Sequence, residues 1–349
     1  MAWFRRFDPA ATRGLGVTLA LAGGGGAAFA ALGLPAGWLM GAMIATAAAA
    51  ILGLEVGLPP RPRDLAFLLV GISIGSSATP ESLLQIAAWP ASVALLALSV
   101  AATLFAGSAY LERAHGWDRT TARFASMPGA FSAVMIIAAS SAADVPRVVL
   151  AQSLRIFTLV LLMPPLISLV TPGDRAAAPA ATVTNGPGEA LLVFVVAGLL
   201  AMLLVRLRVP AGTVLGAMVA SATLHATGIV HGRFPQPLVI AGFVATGAVI
   251  GARFRGTTVA VLLRTAPGAL ASILIALGIS AGFAWIGAWL LGMPFGKTWL
   301  AYAPGGVEAM AAMALALHLD PAFVGAHHVL RILGLNLVGP FWLGRRPPT

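Results

Sequence analysis

The sequence predicts an all-α integral membrane protein of two inverted repeats, each with about five transmembrane helices and one broken or re-entrant Pro-Gly helix. Three observations lead to that fold. Of 349 residues, 59% are hydrophobic and 9% charged, with a mean hydropathy of +0.94, whereas a soluble domain carries about 25% charge. The segment Pro35-Ala36-Gly37-Trp38-Leu39-Met40-Gly41-Ala42-Met43-Ile44-Ala45 returns 175 positions later as Pro210-Ala211-Gly212-Thr213-Val214-Leu215-Gly216-Ala217-Met218-Val219-Ala220, identical at seven of eleven places. A Pro-Gly pair interrupts an apolar run in each copy, at Pro128-Gly129 and Pro304-Gly305.

In chain order, Arg5, Arg6 and Arg13 precede an apolar run at 15–32 that resembles a secretory signal. The Gly23-Gly24-Gly25-Gly26 run weakens it as a helix. Because 190–207 occupies the equivalent place in the second copy, 15–32 reads as a retained first span. Further apolar runs follow at 34–54, 65–79, 89–111, 124–142 and 147–170, then at 209–229, 238–252, 266–292, 299–318 and 321–343. The echo continues at an offset of 176 through Gly71/Gly247, Gly75/Gly251, Asp144/Asp320, Arg155/Arg331 and Pro164/Pro340. The organisation is therefore 1–172 as membrane repeat one, 173–188 as an Ala/Pro/Gly-rich linker, and 189–349 as membrane repeat two.

The net charge of +10 is scattered through short loops rather than gathered on one face, so it serves topology and not nucleic-acid binding. With twelve crossings, Arg147, Arg206, Arg208, Arg253, Arg255 and Arg264 would lie outside. If the fifth run of each copy enters and returns on one side, all six become cytoplasmic and only Arg175, Arg233 and Lys297 stay outside. Positive charge concentrates in cytoplasmic loops, which favours the inverted ten-span arrangement with a cytoplasmic N-terminus in a bacterial inner membrane.

The Pro-Gly breaks carry the chemistry. Proline removes a donor and glycine frees the backbone, so the helix stops there and leaves polar groups that lipid cannot satisfy. Such breaks line a wet cavity or sit inside protein, where inverted-repeat carriers hold their cargo. Arg155 and Arg331 lie in apolar helices at a cost of about 3 kcal/mol each on insertion scales. Two readings fit them: a guanidinium holding an anionic or carboxylated solute, and a strut bonding the stranded carbonyls of the neighbouring break. Glu308, beside the second break, takes the place of Ser132 and is expected either to couple a proton or cation or to form a static ion pair with Arg331. His328 takes the place of Gln152. The adjacent His327 points about 100° away, so the two do not chelate one metal. Asp144 and Asp320, with Pro146 and Pro321, carry the signature of helix N-caps, and Asn336 reads as an interhelical packing group. The paired glycines at 37/41, 71/75, 212/216 and 247/251 predict close helix contact. The candidate substrate-binding set is Arg155, Arg331, Pro128, Gly129, Pro304, Gly305, Glu308, Ser132, Gln152 and His328.

The doubled Pro-Ala-Gly-x-x-x-Gly-Ala-Met segments, with Met127-Pro128-Gly129-Ala130-Phe131 and Ala303-Pro304-Gly305-Gly306-Val307-Glu308, resemble the bacterial AbrB-type membrane protein family from about Gly14 to Trp342. A soluble DNA-binding regulator shares that name, but this sequence does not resemble its fold. Members of the resembled family are commonly labelled regulators of gene expression and sometimes ammonia monooxygenases. Neither label follows from these residues, because no clustered metal ligands or DNA-reading element stands in the sequence, and cysteine is absent. The expectation is a secondary carrier or exporter of a small anionic or zwitterionic solute, not an enzyme, with no cofactor. The alternatives are a membrane sensor acting indirectly on gene expression and, behind it, a membrane monooxygenase. Its expected partners are membrane lipid and the solute, with homo-oligomerisation open and nucleic acid excluded.

Overall fold

The computed structural model describes residues 9–77, 89–129, 131–170 and 184–343, with side chains described throughout except at 9–13, 131–133, 136 and 338–343. The described residues form helices joined by short turns. In the first half these are α1 (Pro9–Ala31), α2 (Gly37–Ile51), α3 (Pro60–Gly75), α4 (Trp89–His115), α5 (Arg119–Ser126), α6 (Phe131–Ala139) and α7 (Val145–Val170). The second half has α8 (Pro187–Arg206), α9 (Gly212–Ala226), α10 (Gln236–Gly251, closed by a 3-10 turn Ala252–Phe254), α11 (Val259–Leu291), α12 (Phe295–Tyr302), α13 (Val307–Ala316) and α14 (Pro321–Leu343). Six of the described helical segments are long and apolar enough to cross a membrane: Gly14–Ala31, Trp89–His115, Val145–Val170, Pro187–Arg206, Gln236–Phe254 and Val259–Leu291. With the composition, this makes the chain a multi-pass membrane protein.

Local chemistry sets the helix ends. Asp118 caps α5 by accepting from the Thr121 amide at 2.8 Å, and Thr258 caps α11 by accepting from Val261. The expected caps on the last helix of each half are present, with Asp144 accepting from the Arg147 amide and Asp320 from the Phe323 amide, both at 3.1 Å. Several ends match at the spacing of the sequence echo. Ala36 and Ala211, both non-glycine residues in the left-handed region at φ 54° and 53°, start α2 and α9 from the same place in the Pro-Ala-Gly motif. An L-residue in that conformation is strained by roughly 1 kcal/mol or more, so the surrounding packing must hold it.

The paired glycines pack as the sequence predicts, and they do so reciprocally. A Cβ at Gly71 would lie 2.6 Å from the Val214 carbonyl oxygen and the Ala217 Cβ; one at Gly247 would lie 2.5 Å from the Leu39 carbonyl oxygen and 2.9 Å from the Ala42 Cβ. Hence α3 seats on α9 while α10 seats on α2, each half lending its second helix to the third helix of the other. Gly37 and Gly41 press α2 onto α1, and Gly212 and Gly216 press α9 onto α8. At the periphery, Leu199 and Leu203 of α8 and Trp285 and Trp289 of α11 are exposed, as lipid-facing side chains should be.

Three local expectations are corrected. The four-glycine run does not weaken α1, which is continuous across it, because Gly25 meets Gly41 at backbone distance and tertiary contact replaces the missing side chains. Helix α11 starts at Val259 rather than 266 and runs through Pro267, and α7 runs through Pro164 and Pro165. Buried membrane helices tolerate proline because neighbouring groups can satisfy the freed carbonyls. Helix α3 begins at Pro60, carrying Arg63 and Asp64 on a helix rather than in a loop.

Candidate functional site

Both Pro-Gly pairs end a short helix. Helix α5 stops at Ser126 and α6 resumes at Phe131; α12 stops at Tyr302 and α13 resumes at Val307. Stopping a helix strands its last carbonyls. The arginines of the final helices meet that need. Arg155 donates to the Met127 carbonyl at 3.0 Å and to the Gln152 side-chain oxygen, while Gln152 donates to the carbonyls of Phe124 at 2.7 Å and Met127 at 3.0 Å. In the second half Arg331 donates to the Ala303 carbonyl at 2.7 Å and to the Gly305 carbonyl, and the His328 Nε2 bonds the Leu300 carbonyl at 3.0 Å. Each carbonyl named in the second half from Leu300 or Ala303 lies 176 residues after its counterpart at Phe124 or Met127. Both guanidinium groups are buried, so the strut reading accounts for the hydrogen bonds that Arg155 and Arg331 make.

The breaks converge. Gly129 and Gly306 line one cavity of about 800 Å³, and Arg155 lines a small void together with Pro304. Pro128 and Pro304 are buried in protein. The cavity wall also includes Arg63, Asp64 and Phe67 from the start of α3, Arg208 and Ala211 before α9, Val249 and Arg253 from the end of α10, and Glu308, Ile332 and Asn336. Of the ten residues proposed from sequence, Gly129 and Glu308 reach this cavity. Arg155, Arg331, Gln152 and His328 stand behind it, holding the breaks in shape. The Ser132 side chain lies outside the described residues.

Two expectations are corrected here. Glu308 does not pair with Arg331, whose guanidinium is directed to the Ala303 and Gly305 carbonyls; its Coulombic partner is Arg253. Asn336 is exposed to the cavity instead of packing between helices. The sequence reading counted Arg208 and Arg253 among the topological charges and gave no role to Asp64. One signal pointed the other way: Arg253 follows Gly251 by two residues, too few to leave the helix, and its counterpart 176 positions earlier is the uncharged Ser77.

A second cavity, of about 480 Å³, is lined by Ala36 and Gly37, by Ser73 and Ser77 at the end of α3, by Val239 and Phe243 at the start of α10, and by Arg233 and His318. Many of these are the echo positions of the first cavity's wall, since Ala36, Gly37, Ser73, Ser77 and Phe243 correspond to Ala211, Gly212, Val249, Arg253 and Phe67.

At the end of α12 lies a buried polar group built on Tyr302 and His327, whose counterparts in the first half are Ser126 and Ala151. The Tyr302 hydroxyl donates to the Ser92 carbonyl at 2.9 Å, the Ser92 hydroxyl meets the His327 Nε2 at 2.9 Å, and the His327 Nδ1 bonds the Phe323 carbonyl at 2.9 Å. The arrangement is fully bonded with a neutral imidazole protonated on Nδ1, which makes it a brace between α4, α12 and α14. Tyr302→Phe is expected to cost about 1 kcal/mol of stability, read as a small drop in melting temperature of the purified protein, and a change above about 3 kcal/mol would show that the hydroxyl holds more than this one brace.

The family model described as transition state regulatory protein AbrB matches residues 38–345. "Putative regulator AbrB" of Escherichia coli (strain K12) is 30% identical over 319 residues, which cover 89% of this chain and 90% of that protein. "Uncharacterized protein YhjN" of Bacillus subtilis (strain 168) is 28% identical over 357 residues, covering 93% of this chain and 91% of that protein.

Proposed function

The chain belongs to the AbrB family, and from that footing we propose that it is a secondary carrier of the bacterial inner membrane, moving a small anionic or zwitterionic solute between two inverted repeats. The carrying observation is the cavity of about 800 Å³ in which both helix breaks open among charged side chains, the usual place for cargo in inverted-repeat carriers. Inversion is supported by the cavity walls. The start of α3 shares the first cavity with the end of α10, and the end of α3 shares the second cavity with the start of α10, as antiparallel equivalents would. Each broken segment is read as entering and returning on one side. In support, Lys297 at the start of α12 pairs at 2.9 Å with Asp320 ahead of α14, and the Thr121 hydroxyl in α5 accepts at 2.8 Å from the Asp144 amide ahead of α7. Ten crossings then put the N-terminus and Arg63, Arg208 and Arg253 in the cytoplasm and Arg233 outside, in keeping with the positive-inside rule.

On this reading the protein catalyses no covalent chemistry and needs no cofactor; lipid and solute are its partners. Proteoliposomes loaded with a labelled metabolite mixture are expected to exchange at least one anionic or zwitterionic species faster than empty vesicles. Glu308→Gln and Arg253→Gln should each slow that exchange about tenfold or more, the scale of one lost charge-assisted contact. Absence of protein-dependent flux across such a panel would overturn the carrier reading. The regulator name of the Escherichia coli relative supports a second reading, an indirect effect on gene expression through the level of the solute. Deleting the gene and finding transcript changes that external supply of the carried solute reverses would connect the two.

A further inference from the structure

Two departures from the sequence echo meet in one place. Glu308 replaces the Ser132 of the first half, and Arg253 replaces Ser77. Each introduces a charge where its counterpart has a hydroxyl, and the two charges are of opposite sign. They are carried by α13 and by the turn that closes α10, 55 residues apart, yet both line the cavity of about 800 Å³, and the carboxylate acts on the guanidinium. An acid and a guanidinium added separately to a repeat, and converging on its cavity, make a two-pole surface.

The other charged groups at the wall leave that surface intact. Arg63 and Asp64 bond each other at 2.8 Å and are largely neutralised as a unit. Arg208 is exposed at the rim and adds one positive charge. Deeper in, Arg155 and Arg331 bond carbonyls rather than the cavity. They add positive field behind the wall, where Arg253 acts on Arg155, while the charged side chains that face the cavity between the breaks are Arg253 and Glu308.

We infer that Arg253 and Glu308 form the recognition site for a small zwitterion of the amino-acid kind, with its carboxylate on the guanidinium and its ammonium on the carboxylate. A plain carboxylate would leave Glu308 facing its cargo with like charge, and a plain amine would do the same to Arg253. A solute bearing both groups satisfies both poles. The inference deepens the carrier reading and rests on it for the role of the cavity, but binding is measured apart from flux.

The test is equilibrium binding to the full chain in lipid nanodiscs, by calorimetry at fixed pH and low salt. Three pooled probes are used: proteinogenic amino acids, the corresponding carboxylic acids lacking the amine, and the corresponding amines lacking the carboxylate. The amino-acid pool is expected to bind, and the other two to bind at least about tenfold more weakly. Glu308→Gln and Arg253→Gln should each lose about tenfold or more in affinity, with Glu308→Asp retaining most of it. Arg233→Gln, in the other cavity, should bind as the native chain does. Size-exclusion profiles and ligand-free melting temperatures of each variant separate a lost contact from a lost fold. Equal binding of all three pools, no binding of amino acids, or native affinity in a folded Glu308→Gln overturns the inference. Amino-acid binding without flux in proteoliposomes would retain this site and remove the carrier reading; flux of a different solute without amino-acid binding would do the reverse.

Discussion

Arg331→Met should destabilise the protein by about 3 kcal/mol, because it leaves the buried Gly305 carbonyl without its donor and strips the charge-assisted bond from the Ala303 carbonyl, which keeps only the Gly305 amide. The carbonyls concerned are those of Ala303 and Gly305, at the end of α12. Arg155→Met should cost less, since the Met127 carbonyl still accepts from Gln152 and from the Gly129 amide and only the Gln152 side-chain oxygen loses its donor. Thermal melts of purified protein followed by tryptophan emission would read the loss. If Arg331→Met melts like the native chain but no longer takes up solute, the arginine is a ligand and not a strut. Glu308→Gln provides the contrast. Its carboxylate faces the cavity and acts on Arg253, so its removal should lower the melt by less than Arg331→Met does while altering transport.

The second large effect concerns the glycine seats. Gly247→Ala should lower stability by about 1–3 kcal/mol, since overpacking a close contact moves backbone rather than a flexible side chain. The atom in the way is the Leu39 carbonyl oxygen, 2.5 Å from the added carbon. Gly71→Ala faces the matching obstacle at Val214 and should match it in size. Gly24→Ala, with nothing within 4 Å, should instead be neutral or stabilising by up to about 1 kcal/mol from helix propensity. Unequal losses at Gly71 and Gly247 would mean that the two seats do not have equal roles in assembly.

Much of this was legible in the residues. Composition identifies the membrane class. Apolar run lengths locate the helices within a few residues, and Pro-Gly locates both breaks, because these signals are local and strong. The sequence also poses the two roles for Arg155 and Arg331, and the hydrogen bonds favour the strut. The cavity wall was less legible. Arg63 and Arg253 obey the same charge statistics whether they sit in a loop or at a helix end facing a pocket, and only the packing of α3 against α9 and α10 separates the cases. Likewise, Gly23 to Gly26 reads as helix-weakening until a partner helix is known to sit on Gly25.

Helices α2 and α9 are each 15 residues long and rise only about 22 Å, short of the roughly 30 Å hydrocarbon thickness. The two cavities open beside their N-terminal ends, at Gly37 and Gly212. If the halves are inverted as proposed, water would reach inward from both faces, and the cell's voltage would fall across the thin septum between them instead of across the full bilayer. A net charge stepping over that septum would do most of its electrical work in one short move, about 2.3 kcal/mol per 100 mV, so ion gradients and membrane potential would act on the same few ångströms of protein.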